Sequence, residues 1–220
     1  MLRLMARWGL GLLLSFLACA TLGLVYLKFF APLTTAVQLQ RRVEALLSGR
    51  PTSQRYTFVP RDRIAGHLGH AVIAAEDGRF FQHHGIDWRE VQKAADDNRR
   101  RGRLWRGGST ITQQLVKNLF LTTHLAFVRK PLEVPLALLA ELILSKQRIL
   151  ELYLNVVEWG PSIFGAEAAA QYHYRVPAAR LTREQAAHLA ACLPAPRRRQ
   201  PTSVERYAGQ ILGRMDQLGW

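Results

Sequence analysis

The 220-residue chain holds two cysteines, Cys19 and Cys192, far apart, the first inside an apolar run; a disulfide framework is excluded. Acidic residues are scarce, 16 against 30 Lys and Arg, for a net charge of +14. That balance favours nucleic acid, anionic lipid or a phosphate-bearing ligand. Alternating β-branched runs are few and no internal repeat occurs, which argues against sandwiches, barrels and solenoids. His67, His70, His83 and His84 match no zinc-ligand spacing. Neither S-x-x-K nor K-T-G is present, so penicillin-binding transpeptidase chemistry is not expected.

What the chain does have begins with Trp8 to Leu27, 20 residues without a charge. As a helix this run spans about 30 Å, the thickness of a bilayer core. Arg3 and Arg7 precede it and Lys28 follows, so the positive-inside tendency keeps residues 1–7 cytoplasmic and puts the rest outside. Ala18-Cys19-Ala20 resembles a cleavage site, but the apolar run continues past it, which favours an uncleaved anchor over residues 8–30. Residues 31–60 read as a juxtamembrane linker, helical in periodicity from Ala31 to Gly49 and loop or short extended structure from Arg50 to Pro60, and residues 61–220 as one domain.

That domain reads as mainly α-helical. Helical periodicity covers Ile64 to Asp77, with Leu68, Val72 and Ile73 inward, and Ile86 to Ala95. The basic stretch Asn98 to Arg106 reads as irregular. Val134 to Asn155 reads as one apolar helix stopped by Trp159-Gly160-Pro161, with Pro131 in a first turn and Pro135 starting or kinking it. Gly165 to Gln171, Thr182 to Cys192 and Val204 to Leu218 complete the helices.

Chemistry concentrates in three stretches. Gly107 to Asn118 opens a helix through a Thr110/Gln113 capping box. At 100° per residue Thr110, Gln113, Gln114 and Lys117 share one polar face, suited to an oxygen-rich anion, while Ile111, Leu115 and Leu119 pack; an ordinary solvated face has the same pattern. Glu76-Asp77 end an apolar helix beside Phe80 and Phe81, where lost hydration raises a carboxyl pKa toward general-base values; two plain acids at a helix end would read alike. Arg129, Lys130 and Glu133 are i−4 and i−3 neighbours, either a surface ion cluster or a clamp for phosphate oxygens. Two separated acids with three cations suit a diphosphate leaving group and a base for an incoming hydroxyl. They suit glycosidase chemistry less, because there an acid must protonate a poor leaving group.

The ordered stretches E-D-x-x-F-x-x-H-x-G (Glu76 to Gly85), G-G-S-T-I-T-Q-Q-L-x-K-N (Gly107 to Asn118), R-K-x-x-E (Arg129 to Glu133) and K-x-x-I-L-E-x-Y-L-N (Lys146 to Asn155) resemble the peptidoglycan glycosyltransferases of glycosyltransferase family 51, above all the monofunctional biosynthetic transglycosylases. The likeness runs from about Arg61 to the end. It implies a lysozyme-like, mainly helical domain with a small membrane-proximal lobe. It also implies inverting polymerisation of lipid II into β-1,4-linked glycan, with release of undecaprenyl diphosphate, at the outer face of a bacterial inner membrane.

By the same resemblance Glu76 is the general base, and Glu133 lies at the donor diphosphate, directly or through Mg2+ or Mn2+. Lys117, Arg129 and Lys130 hold the diphosphate; Thr110, Gln114 and Asn118 shape the sugar-phosphate site; Asp77, Phe80 and His83 support Glu76. No tightly bound cofactor and no nucleic-acid partner are implied. The implied partners are lipid II, the growing strand, the membrane and other cell-wall synthesis proteins. Arg99, Arg100, Arg101, Arg103 and Arg106 fall where the family has a mobile segment beside the groove. Tyr172-His173-Tyr174-Arg175 departs from the family pattern at the groove wall. Two readings compete: a glycan-cleaving enzyme of the same fold, and a non-enzymatic basic membrane scaffold.

Overall fold

A computed structural model describes residues 2–101, 108–124 and 126–220. The protein is mainly helical. The long helix α1 (Leu2–Phe29) is followed by α2 (Ala36–Leu47), α3 (Gly66–Glu76), α4 (Trp88–Arg101), α5 (Ile111–Phe120), α6 (Ala126–Ile143), α7 (Lys146–Val156), α8 (Ala166–Tyr174), α9 (Arg183–Cys192) and α10 (Glu205–Gln217). Three short strands, β1 (Arg55–Tyr56), β2 (Glu158–Gly160) and β3 (Ile163–Phe164), form a sheet of order β1-β3-β2, with β1 parallel and β2 antiparallel to β3.

Local chemistry sets the helix starts. Thr35 with Gln38, Thr110 with Gln113 and Thr182 with Gln185 form complete capping boxes, each satisfying two otherwise orphaned N–H groups. The helix expected over Val134 to Asn155 is two helices. Ser145 adopts an extended conformation and caps α7 through the Arg148 N–H, a break that continuous apolar periodicity conceals. Pro131 and Pro135 both lie inside α6, which begins at Ala126, so neither starts a helix. Trp159 and Gly160 belong to β2. The helix expected over Ile86 to Ala95 runs instead from Trp88 to Arg101, so residues 98–101 are helical. Arg103, Arg106 and Gly107 lie outside the described residues, as does the side chain of Arg101.

The core forms where α3, α9 and α10 pack together and where α5 packs against α6 and α7. Trp159, Tyr153, Phe80 and Phe164 are its largest fully buried side chains. Gly165 is obligatory: its φ is +84°, and a Cβ there would lie 2.5 Å from the Asn155 carbonyl oxygen.

Within α1, Arg7–Phe29 is long and apolar enough to cross a membrane. The end of this run is not free. Ala20, Leu24 and Leu27 are buried against the body, and Arg148 donates to the carbonyls of Leu27 (2.8 Å) and Phe30 (2.7 Å). The residues read as a linker carry α2 and β1 and are tied down: Gln40 bonds Thr123, and Arg41 bonds Glu158. The Tyr172 to Arg175 departure ends α8, with Arg175 as a left-handed C-cap and the Arg55 guanidinium 5.2 Å from the Tyr172 ring centroid. It takes no part in lining the main cleft described next.

Candidate active site

Glu76 is the last residue of α3, and the chain turns at Asp77. Asp77 is buried and fixes that turn to the start of α5: Oδ2 accepts the Ile111 N–H at 3.0 Å, and His83 Nε2 lies 2.9 Å from Oδ1. Thr110 strengthens the join by donating to the Gly85 carbonyl at 2.6 Å. The end of one helix and the beginning of another are therefore locked together, which holds Glu76 beside the first turns of α5.

There Gln114 donates through Nε2 to Glu76 Oε2 at 2.7 Å, and Tyr153 donates to Gln114 Oε1 at 3.0 Å. Burial raises the Glu76 pKa above 4.5; the Gln114 bond and the Lys117 charge pull the other way. Phe80, expected to desolvate Glu76, is fully buried, with Lys146 Nζ 4.3 Å from its ring centroid. Gln114, Lys117, Asp77 and Arg199 are the groups that act on the Glu76 charge.

The cations come from two helices, Lys117 from α5 and Arg129 and Lys130 from α6. Arg129 and Lys130 both donate to Glu133, the latter at 2.7 Å, and Lys130 also donates to Ser109 Oγ at 2.6 Å. Glu133 is only 2% exposed. Lys117 lies nearby with its pKa lowered from 10.5, first by burial and then by Arg129. Among the described residues no carboxylate pairs with it within 4.0 Å, which leaves its ammonium ready for a ligand anion.

One cleft of about 850 Å³ collects these groups: Glu76, Gln114, Lys117, Arg129, Lys130 and Glu133 all line it. The opposite wall escaped the sequence reading. It comprises Arg199, Tyr207, Gln210 and Arg214, the last three at i, i+3 and i+7 on α10. That spacing was a legible polar stripe, but nothing in the sequence says α10 folds back over α3. Arg199 is anchored on the Ala191 carbonyl and Arg214 on that of Ala74. Among the described residues neither has a carboxylate partner within 4.0 Å.

Several expected members do not line this cleft. Asn118 is buried and donates to the Gln114 carbonyl; Thr110 is committed to its capping box and to Gly85. Asp77 and Thr110 line a smaller adjoining cleft of about 330 Å³, which shares Glu76, Ser109 and Arg214 with the first. Gln113, expected on the polar face, is buried in the cap. These side chains hold the site's frame.

Both Glu133 oxygens accept from Arg129 and Lys130 in this structure, so Glu133 by itself offers no free oxygen to a divalent cation. Asp77, His83 and Asp87 lie within 4.8 Å of one another, but they are largely engaged: His83 by Asp77, Asp87 by Arg79 and the N–H groups of Arg89 and Glu90. His70 stacks on Trp220 at 4.5 Å.

The model of the transglycosylase family matches residues 42–217, a span that contains every group of the cleft. The chain belongs to the transglycosylase family. Proteins named biosynthetic peptidoglycan transglycosylase are similar to it over most of their length. The one from Nitrosospira multiformis is 45% identical over 197 residues, covering 87% of this chain and 85% of its own. That from Azoarcus sp. is 48% identical over 181 residues, covering 80% and 78%. That from Pseudomonas savastanoi is 44% identical over 223 residues, covering 100% and 94%. As a transglycosylase the chain is a glycosyltransferase.

Proposed function

We propose that this transglycosylase polymerises lipid II into β-1,4-linked glycan strands and releases undecaprenyl diphosphate. The observation that carries the reading is the sharing of one cleft by Glu76 and by Lys117, Arg129 and Lys130. Glu76 takes the proton from the 4-hydroxyl of the acceptor sugar as that oxygen attacks C1 of the donor. The C1–O bond to diphosphate breaks, and its electron pair leaves with the phosphates. Cations gain most from charge that develops in the transition state, so Lys117, which among the described residues has no carboxylate within 4.0 Å, contributes there. Attack opposite an α-linked diphosphate inverts C1 and gives a β linkage. Peptidoglycan as the product class is supported by the names of the relatives.

The reading extends to the membrane. With Arg7 before it, the apolar length of α1 suits a single-pass anchor whose catalytic body lies on the outer face. Its last turns pack on the body, and Phe127 and Leu142 on the adjoining α6 are 92% and 83% exposed. An apolar surface beside an anchor suits a small lobe that meets the bilayer where a lipid-linked substrate resides. A glycan-cleaving enzyme would have less use for the cation cluster.

Purified full-length protein in detergent, incubated with lipid II, is expected to yield lysozyme-sensitive polymer and free undecaprenyl diphosphate. Cleavage of preformed glycan, with no polymer from lipid II, would overturn the proposal.

A further inference from the structure

We infer that Tyr153, acting through Gln114, determines which oxygen of Glu76 receives the proton and the pH at which it can. The inference rests on the base role proposed for Glu76. Tyr153 touches neither the cleft nor any reacting atom. It is fully buried on α7, and its hydroxyl reaches one side-chain acceptor among the described residues, Gln114 Oε1 at 3.0 Å.

The argument follows from the two ends of an amide. A side-chain amide has a donor end and an acceptor end. An ionised carboxylate only accepts, so Gln114 must turn its NH2 toward Glu76, as its 2.7 Å bond to Oε2 requires. The amide oxygen then points the opposite way, into the protein, where only a donor satisfies it. Tyr153 is that donor. Burial and the nearby Glu76 and Asp77 charges push its pKa well above 10.0, so it stays protonated wherever the enzyme works.

Two consequences follow. First, Oε2 of Glu76 is occupied by Gln114, which leaves Oε1 as the oxygen for the incoming hydroxyl. Second, the relay favours the ionised carboxylate. Without the phenol, nothing opposes rotation of the amide by half a turn, which presents its oxygen to Glu76. That orientation repels a carboxylate and accepts from a protonated carboxyl, so the Glu76 pKa rises. Gln114, expected at the sugar-phosphate, thereby orients the base, and Tyr153 orients Gln114.

The test is the pH profile of kcat/KM for lipid II polymerisation by full-length, detergent-solubilised protein. Tyr153→Phe removes one hydroxyl and keeps the ring. It is expected to move the acid limb upward by about one pH unit, with KM for lipid II nearly unchanged. In a Gln114→Leu background the same substitution should add no further shift, because the relay is already cut. A fluorinated tyrosine at 153, a stronger donor of nearly the same size, should move the limb downward; it keeps the test decisive if Tyr153→Phe does not fold.

An unmoved acid limb in Tyr153→Phe or the fluorotyrosine protein, or an equal shift in the Gln114→Leu background, would overturn the relay. If Glu76→Gln still polymerises at the normal rate, the base role itself falls. If Glu76→Gln is inactive and the Tyr153 variants do not shift, only the relay falls.

Discussion

Lys130 Nζ lies 2.7 Å from Glu133 Oε2, yet the two ends of this pair live in different surroundings: the Glu133 side chain is 2% exposed and that of Lys130 is 49% exposed. Glu133 is therefore the fixed anchor of the cluster. Lys130 can leave its partner for a ligand phosphate at small expense, because water already screens much of its charge.

Lys130→Ala is accordingly expected to weaken lipid II binding and turnover by about ten- to a hundred-fold while leaving the melting temperature nearly unchanged. Glu133→Ala strips Arg129 and Lys130 of their buried partner. It is expected to reduce both turnover and stability, the latter by about 3 kcal/mol. Polymerisation kinetics and thermal unfolding on the same preparations check both; normal lipid II binding and turnover in Lys130→Ala would remove it from the clamp.

Glu76→Gln keeps the shape and the Gln114 contact but cannot take a proton. Polymerisation is expected to fall by about 10²–10⁴-fold or more. Stability should move the other way. The folded-state pKa of Glu76 is raised above 4.5, so the folded protein binds more protons than the unfolded chain between those values. Stability then falls as pH rises through that window and stays lower above it. The glutamine variant should melt higher than the parent at about pH 7.5, and the gap should close at about pH 4. Equal melting temperatures at both would show that the carboxylate carries no burial penalty.

Activity should follow a bell in pH that is narrower than free side chains would give. The acid limb reports Glu76 and lies above 4.5; the alkaline limb reports Lys117, whose pKa is lowered from 10.5. Lys117→Arg keeps the cation with a higher pKa, so it should push the alkaline limb upward. An alkaline limb unchanged by that substitution would assign it to another group.

Arg148 ties the long apolar helix α1 to the body through the Leu27 and Phe30 carbonyls. Arg148→Ala is expected to lower stability by about 1–3 kcal/mol and to expose residues 30–35 to protease, without abolishing turnover. Unchanged protease resistance would mean that the packing of Ala20, Leu24 and Leu27 holds α1 unaided.

The parts of this protein legible in one dimension are those whose physics is local. An uncharged run of twenty residues, the Thr110/Gln113 and Thr182/Gln185 capping boxes and the i−3 and i−4 pairing of Lys130 and Arg129 with Glu133 all depend on neighbours within one or two turns, so the order of residues sufficed. Periodicity misjudged Leu144-Ser145, because an apolar pattern carries on across a cap, and it placed Gln113 outward although the cap claims it. Which polar side chains face the substrate and which hold the frame was beyond it. Thr110 and Gln114 look alike on a helical projection, and they part company only because Gly85, Glu76 and Tyr153 arrive from elsewhere in the chain. The far wall of the cleft, Arg199 and Arg214, exists only because α10 packs across α3, a contact between residues some 140 positions apart. Sequence by itself determined most of the helices, the long apolar N-terminal run and the charged groups; tertiary packing alone decided which of them share a cleft, because burial and the alignment of distant hydrogen-bonding groups are properties of the folded chain.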